Sequence, residues 1–175
     1  MLQPAMPMEN SPIDWASWSA PVHATLMFVV RDKEILLIEK KRGLGAGKVN
    51  GPGGKIDPGE TPVQCAIRET EEELRITVKR PKKLGELHFA MSDVEDILCH
   101  VYLARSFEGE PTETDEAAPL WCRLDDIPYD RMWKDDIHWM PLFLDERSFL
   151  GRFVFEGEEV IWSDIEKDVF WPSGG

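Results

Sequence analysis

The stretch GPGGKIDPGETPVQCAIRETEEEL, residues 51–74, constrains the fold most, because it joins a glycine-rich turn to a segment of helical composition. Thr61 suits a helix cap, and Pro62 suits the first helical turn, where its missing N–H group is not needed. The sequence therefore predicts a helix over residues 61–74. Its apolar residues share one face, which we expect to pack on a β-sheet.

Three glutamates share another face of this predicted helix. Glu69, Glu72 and Glu73 stand at spacings i, i+3 and i+4, where like charges repel each other. A hard divalent cation such as Mg²⁺ prefers carboxylate oxygens and would remove this repulsion. A solvated acidic face is the common alternative for such a run, and the spacing alone does not exclude it.

The loop before the helix favours a bound cation over a solvated acidic face. Gly53 and Gly54 let the backbone approach a ligand closely, and Lys55 brings a charge that suits phosphate. Glycines, a lysine and a carboxylate-lined helix in this order indicate a site for a magnesium-bound polyphosphate. The loop lacks GxxxxGK[ST], so it is not a P-loop, and it does not match the GxGxxG dinucleotide turn.

Composition and charge exclude several classes of protein. The chain has 175 residues, 42% of them apolar and 30% charged, with a net charge of −13. These values suit one globular domain and argue against a nucleic-acid polymer as partner, whereas a nucleotide with its cation stays compatible. We find no run that would span a membrane and no secretory signal. Three separated cysteines fit neither disulfides nor zinc, and they favour a reducing cytoplasm.

Short apolar runs on both sides of the helix predict strands. Residues 1–21 contain four prolines without periodicity, so we expect a loose extension before a domain over residues 22–175. The elements predicted after it are a hairpin over 24–30 and 34–41, a shaped loop over 43–54, strands over 75–80, 84–91, 96–107 and 118–124, a helix from about Met132, and a hairpin across Glu156-Gly157. This order predicts an α+β fold, a mixed β-sheet sandwich flanked by helices.

The glycine turn and the acidic helix together resemble the Nudix box, in which a glycine, a glutamate, an Arg-Glu pair and a Glu-Glu pair stand at fixed intervals. The matching positions are Gly54, Glu60, Arg68, Glu69, Glu72 and Glu73. Thr70 stands where an apolar residue is usual, and Arg75 stands where a glycine is usual. The resemblance implies the Nudix fold and a metal-dependent hydrolase.

The same resemblance implies the chemistry and its residues. A nucleoside triphosphate would be split into the monophosphate and pyrophosphate, with Mg²⁺, or Mn²⁺ in its place, bound by Glu69, Glu72 and Glu73. Glu60 and Arg68 would form a supporting salt bridge. Glu73 is the first candidate for the base that deprotonates water, and Glu72 is the second. The other implied metal or phosphate contacts are Lys40, Gly53, Gly54, Lys55 and Glu116.

Three stretches outside the box resemble one branch of the Nudix family. Residues 40–55, 114–121 and 132–141 are similar to enzymes that hydrolyse oxidised purine nucleoside triphosphates. Asp135 and Asp136 would read the purine edge, both donating and accepting hydrogen bonds if one keeps a proton. The other implied base contacts are Thr25, Leu44, Asn50, Phe89, Met91, Trp133 and Trp139.

Several alternatives stay open at the level of sequence. Asn50 is equally suited to a turn, Glu116 to a solvated loop, and both Trp133 and Trp139 to core packing. Leu44 replaces a phenylalanine of that branch, which removes part of the aromatic wall. The rival substrates are RNA 5′ ends, dinucleoside polyphosphates and methylated dGTP, and the rival class is a non-catalytic module that senses a nucleotide. We expect a monomer without a membrane partner.

Overall fold

The structure, a computed structural model, describes residues 9–172. Its strands in this range are β1 Val22–Arg31, β2 Glu34–Lys40, β3 Val49–Asn50, β4 Gly53–Lys55, β5 Thr77–Lys79, β6 Lys82–Ala90, β7 Ile97–Ala104, β8 Ser106–Glu108, β9 Ala117–Arg123, β10 Phe149–Glu156 and β11 Glu159–Lys167. Its helices are α1 Pro62–Leu74 and α2 Asp136–Leu144, and a 3-10 turn at Tyr129–Arg131 precedes α2.

Most of the strands form one mixed sheet. Its order is β11-β10-β6-β7-β1-β2-β3, with β4 also paired to β1 and β9 also paired to β2. The pairs β1-β7 and β6-β10 are parallel, and the other neighbours are antiparallel. Strands β5 and β8 form a separate two-stranded ribbon. Both predicted hairpins, β1-β2 and β10-β11, are present.

The two helices cover opposite faces of the sheet, so its central strand β1 is apolar on both sides. Met27 and Val29 pack in one cluster with Leu74 of α1. The residue between them, Phe28, packs in the other cluster with Phe143 of α2. This arrangement confirms the predicted α+β sandwich.

Helix α1 begins and ends as its sequence predicts. The Thr61 hydroxyl accepts a hydrogen bond from the N–H of Gln64 at 3.2 Å, and the Gln64 side chain accepts one from the N–H of Thr61 at 3.0 Å. Arg75 takes the left-handed conformation usual for glycine at a helix end, with φ of 61°. Thr70 is buried, and its hydroxyl donates to a carbonyl one turn earlier at 2.7 Å. Both departures from the Nudix box are therefore accommodated.

Three predicted boundaries are wrong. The strand expected over 96–107 is interrupted at Arg105, because β8 leaves the main sheet and pairs with β5. The helix expected from about Met132 begins at Asp136, after the 3-10 turn. The loop expected over 43–54 contains β3 and β4, which pair with β2 and β1.

The N-terminal extension contacts the sheet where the structure describes it, from residue 9 onward. Trp18 stacks on His88 of β6 with ring centroids 4.9 Å apart, and its indole N–H donates to Asp96 at 2.8 Å. Trp15 stacks on Trp162 of β11 at 5.8 Å. Half-buried indole rings therefore hold this part of the extension on the domain, whereas the looseness of the extension as a whole stays a prediction.

No helix between residues 9 and 172 is both long and apolar enough to cross a membrane. Cys65, Cys99 and Cys122 carry free thiols, and the first two are buried. Buried thiols of this kind pack as small apolar side chains.

Replacing Trp18 with alanine tests the packing of the extension. We expect Trp18→Ala to lower the free energy of unfolding by about 2 kcal/mol, because it removes the stacking on His88 and an indole hydrogen bond. Urea unfolding measures the change. Phe170→Ala is the control, because Phe170 is 84% exposed and its loss should change little. An unchanged urea midpoint for Trp18→Ala would instead support a loose extension.

Candidate active site

Strand β4 holds the glycine turn between β1 and α1. Gly53 pairs with Leu26 and Gly54 pairs with Thr25 of β1. A Cβ atom on Gly53 would lie 1.8 Å from the carbonyl oxygen of Thr25, and one on Gly54 would lie 2.4 Å from the carboxyl carbon of Glu69. A side chain at either position would displace its neighbour, so both glycines are needed for this approach. The approach brings bare backbone beside the acidic face of α1.

Three carboxylates gather at this point. Oxygens of Glu69, Glu73 and Glu116 lie within 4.8 Å of one another. Glu73 is 4% exposed, and burial raises its pKa to about 8, although a 3.3 Å hydrogen bond from the N–H of Gly53 acts in the opposite direction. A donor set made only of carboxylate oxygens, crowded and partly desolvated, fits a hard divalent cation.

Glu72 does not join this group of carboxylates. Its side chain is 50% exposed, and an oxygen lies 3.3 Å from Nη1 of Arg68. Helical spacing correctly placed Glu72 on the acidic face, but its side chain extends toward solvent and Arg68. The structure therefore does not bring Glu72 together with the other predicted metal ligands, whereas it does bring Glu116 to them.

Arg68 connects the turn before α1 with Glu69. Its Nε and Nη2 donate to the two oxygens of Glu60 at 2.7 and 2.9 Å, and its Nη1 donates to Glu69 at 2.9 Å. The paired hydrogen bonds from Arg68 lower the pKa of Glu60 to about 2. Glu60 is thereby kept ionised, and Glu69 is held in the direction of the other carboxylates.

Glu116 is held by contacts that the sequence did not reveal. It lies just before β9, and its Oε1 accepts a hydrogen bond from Arg42 at 3.1 Å. Its carbonyl oxygen accepts one from the N–H of Lys41 at 3.0 Å. The Thr114 hydroxyl donates to the carbonyl of Glu73 at 2.8 Å, which ties this loop to the end of α1. No spacing rule could identify these residues, since they come from separate parts of the chain.

A pocket of about 150 Å³ adjoins the carboxylates, and both Glu73 and Gly53 line it. The predicted base-contact residues that line it are Thr25, Leu44, Asn50, Phe89, Met91, Trp133, Asp135 and Asp136. The same cavity therefore joins part of the acidic group to the predicted base slot. The pocket is also lined by apolar residues that no sequence motif pointed out, such as Ile97 and Phe155.

The two aspartates are both buried, each 3% exposed. Burial raises the pKa of Asp135 and of Asp136, and the charge of Asp135 raises that of Asp136 further. Oδ2 of Asp136 has no hydrogen-bond partner among the described residues. A buried polar atom is rarely left unpaired, so this oxygen is available to a ligand in the pocket.

Trp139 was predicted as a base contact, and the structure places it elsewhere. It is fully buried between Phe28 and Phe149, with the latter ring stacked at 5.5 Å, and it is not among the residues lining the pocket. Its indole N–H donates to Asp135 at 2.8 Å. Trp139 therefore supports the pocket from behind, because the first turn of α2 directs its ring into the core.

The predicted phosphate-binding lysines differ in position. Lys40 lines the pocket, whereas Lys55 is exposed and is not among the lining residues that the structure describes. The carbonyl of Lys55, rather than its side chain, accepts a hydrogen bond from Arg68 at 3.2 Å. Asn50 combines both readings, because it lines the pocket while its Oδ1 accepts from the N–H of Gly51 at 2.8 Å.

A family comparison agrees with this geometry. The NUDIX domain family matches residues 21–143, and the chain belongs to that family. Nudix hydrolases generally use a divalent metal, for which the three gathered carboxylates are suited.

The chain is also similar to individual proteins within this family. The chain is 47% identical over 138 residues to the oxidized purine nucleoside triphosphate hydrolase of Danio rerio, covering 78% of this chain and 88% of that protein. It is 39% identical over 146 residues to the mouse protein of the same name, covering 83% and 94%. Among solved structures, the MutT protein of Bacillus halodurans superposes with a TM-score of 0.74 at 26% identity, covering 83% of this chain and 97% of that one.

Single substitutions on α1 and before β9 test the metal site. We expect Glu69→Gln and Glu116→Gln each to weaken Mn²⁺ binding about tenfold or more, because each removes a charged oxygen ligand. Glu72→Gln is the matched control on the same helix and should change the affinity much less. Electron paramagnetic resonance of free Mn²⁺ measures the Mn²⁺ affinity of all three variants. Equal losses in all three would place Glu72 among the ligands.

Proposed function

We propose that this chain hydrolyses oxidised purine nucleoside triphosphates, of the 8-oxo-dGTP and 2-hydroxy-dATP kind, to the monophosphate and pyrophosphate. One observation carries the proposal: a single pocket is lined by Glu73 of the carboxylate group and by the buried pair Asp135 and Asp136. A metal-bound triphosphate and the edge of its base can thus be bound together. Two relatives whose names specify this activity support it.

The proposed cofactor is Mg²⁺, with Mn²⁺ able to replace it, held by Glu69, Glu73 and Glu116. When bound, the ion neutralises phosphate charge and makes a coordinated water more acidic. Glu73 is the proposed base, since it is the buried carboxylate that lines the pocket and is oriented by the N–H of Gly53. Lys40, which also lines the pocket, would contact the phosphates.

The base would be read by the aspartate pair. Burial raises both pKa values, and the charge of Asp135 raises that of Asp136 further, so a proton held by the pair would let one carboxyl donate while the other accepts. A pair that can move this proton can match either purine edge. Trp133 and Phe89 supply flat apolar walls on the way to that edge.

We propose a monomer that acts on a small nucleotide in a reducing cytoplasm, with neither a nucleic-acid polymer nor a membrane as partner. The net charge of −13 and the three free thiols support this. We also keep the division at residues 21 and 22, since β1 begins at Val22.

Pyrophosphate release tests the reaction. With Mg²⁺ and low substrate concentrations, we expect kcat/KM for 8-oxo-dGTP and 2-hydroxy-dATP to exceed that for dGTP and dATP by about tenfold or more. Glu73→Gln should abolish release from all four. Metal-dependent release without a preference for oxidised purines would instead favour RNA 5′ ends, dinucleoside polyphosphates or methylated dGTP as the substrate. Nucleotide binding without any release would identify a sensing module.

A substitution at Asp136 tests the proton-sharing pair. In the wild type, kcat/KM of the substrate that needs the protonated pair should fall as the pH rises and the proton is lost. Asp136→Asn cannot exchange this proton. The ratio of kcat/KM for 8-oxo-dGTP to kcat/KM for 2-hydroxy-dATP should therefore shift about tenfold and become independent of pH. Asp145→Asn, at the exposed far end of α2, is the control. An unchanged ratio and pH profile in Asp136→Asn would contradict base reading by the pair.

A further inference from the structure

Trp133 forms a wall of the pocket although no strand or helix holds it. It lies in an irregular segment between the 3-10 turn and α2. Its ring meets the edge of Phe155 at 89°, with centroids 6.1 Å apart. The orientation of this indole therefore depends on side-chain contacts, so the residues that touch it control the shape of the pocket.

Lys48 touches this indole and also reaches a third element. Its Nζ lies 5.1 Å from the centroid of the Trp133 ring and 3.1 Å from Oε1 of Glu158, in the turn between β10 and β11. The Lys48 side chain is only 26% exposed. Partial desolvation strengthens the attraction between an ammonium group and an aromatic face.

Lys48 also ends the glycine loop, residues 43–48. Its N–H donates to the carbonyl of Gly45 at 2.9 Å. Gly45 lies directly against Trp133, because a Cβ atom there would be 2.9 Å from Nε1 of the indole. Leu44, the residue immediately before Gly45, is 47% exposed and lines the pocket. One lysine thus joins the glycine loop, the indole wall and the β10-β11 turn.

We propose that Lys48 is a positioning residue that sets the width of the base slot by holding Trp133 and the glycine loop together. Lys48 is not among the described residues that line the pocket, so it acts through Trp133. This inference rests on the proposed function, and it assigns Lys48 a part in the affinity for the purine rather than in hydrolysis.

Metal-free binding of 8-oxo-dGMP isolates the base slot from the metal site. We expect Lys48→Met to weaken this binding about tenfold by calorimetry, because it removes the cation from the indole face. In turnover, KM for 8-oxo-dGTP should rise by the same factor while kcat stays unchanged. Lys48→Arg should restore most of the affinity, since arginine keeps the charge and also stacks on aromatic rings.

Lys134→Met is a closely matched control. Lys134 follows Trp133 directly and pairs with Glu159, the residue after Glu158. This variant removes a lysine–glutamate pair to the same turn but leaves the contact between Lys48 and Trp133 in place. Wild-type affinity in Lys134→Met beside weak binding in Lys48→Met supports the proposal. Equal affinities in the two variants overturn it.

A second measurement separates this inference from the proposed function. If the wild type does not bind 8-oxo-dGMP, the proposed function fails, and fluorine NMR of protein labelled with 5-fluorotryptophan still tests Lys48. Trp133→Phe identifies the resonance of Trp133. That resonance should shift in Lys48→Met and stay in place in Lys134→Met. An unmoved resonance in Lys48→Met overturns the positioning role whether or not the nucleotide binds.

Discussion

The rest of the structure depends on the close contact between the backbone of Gly53-Gly54 and the carboxylates of Glu69 and Glu73. Gly53 and Gly54 allow β4 to lie between β1 and α1 with no side chain in the way. That contact supplies the N–H that reaches Glu73, and it places Glu69 beside the turn. The sheet, the helix and the pocket meet at this point, so a larger residue at either glycine would disturb all three.

Each gathered carboxylate has its own hydrogen-bond donor. Arg68 donates to Glu69, the N–H of Gly53 donates to Glu73, and Arg42 donates to Glu116. These donors offset part of the repulsion between like charges but leave oxygens of all three within 4.8 Å of one another. The chain thus holds the group together, and a bound cation would replace the proton that the raised pKa favours on Glu73.

Features that depend on neighbouring residues could be predicted from the sequence. The cap at Thr61, the acidic face of α1 and both hairpins follow from local spacing. Features that depend on distant contacts could not. Trp139 fits a base slot by type, yet core packing directs it behind Asp135. Glu72 shares a helix face with Glu69 and Glu73, yet its side chain extends toward solvent and Arg68. The docking of Trp18 likewise depends on His88, far along the chain.

The hydrogen bond from Thr114 to the carbonyl of Glu73 has a consequence for the binding of a metal ion. Because Glu116 reaches the other carboxylates only when the loop before β9 is hydrogen-bonded to the end of α1, helix α1 alone does not form the complete ligand set. A divalent ion held by these carboxylates would therefore bind the folded chain in preference to the unfolded one and would shift the folding equilibrium by mass action. The fraction of molecules that are folded would then rise with the concentration of that ion.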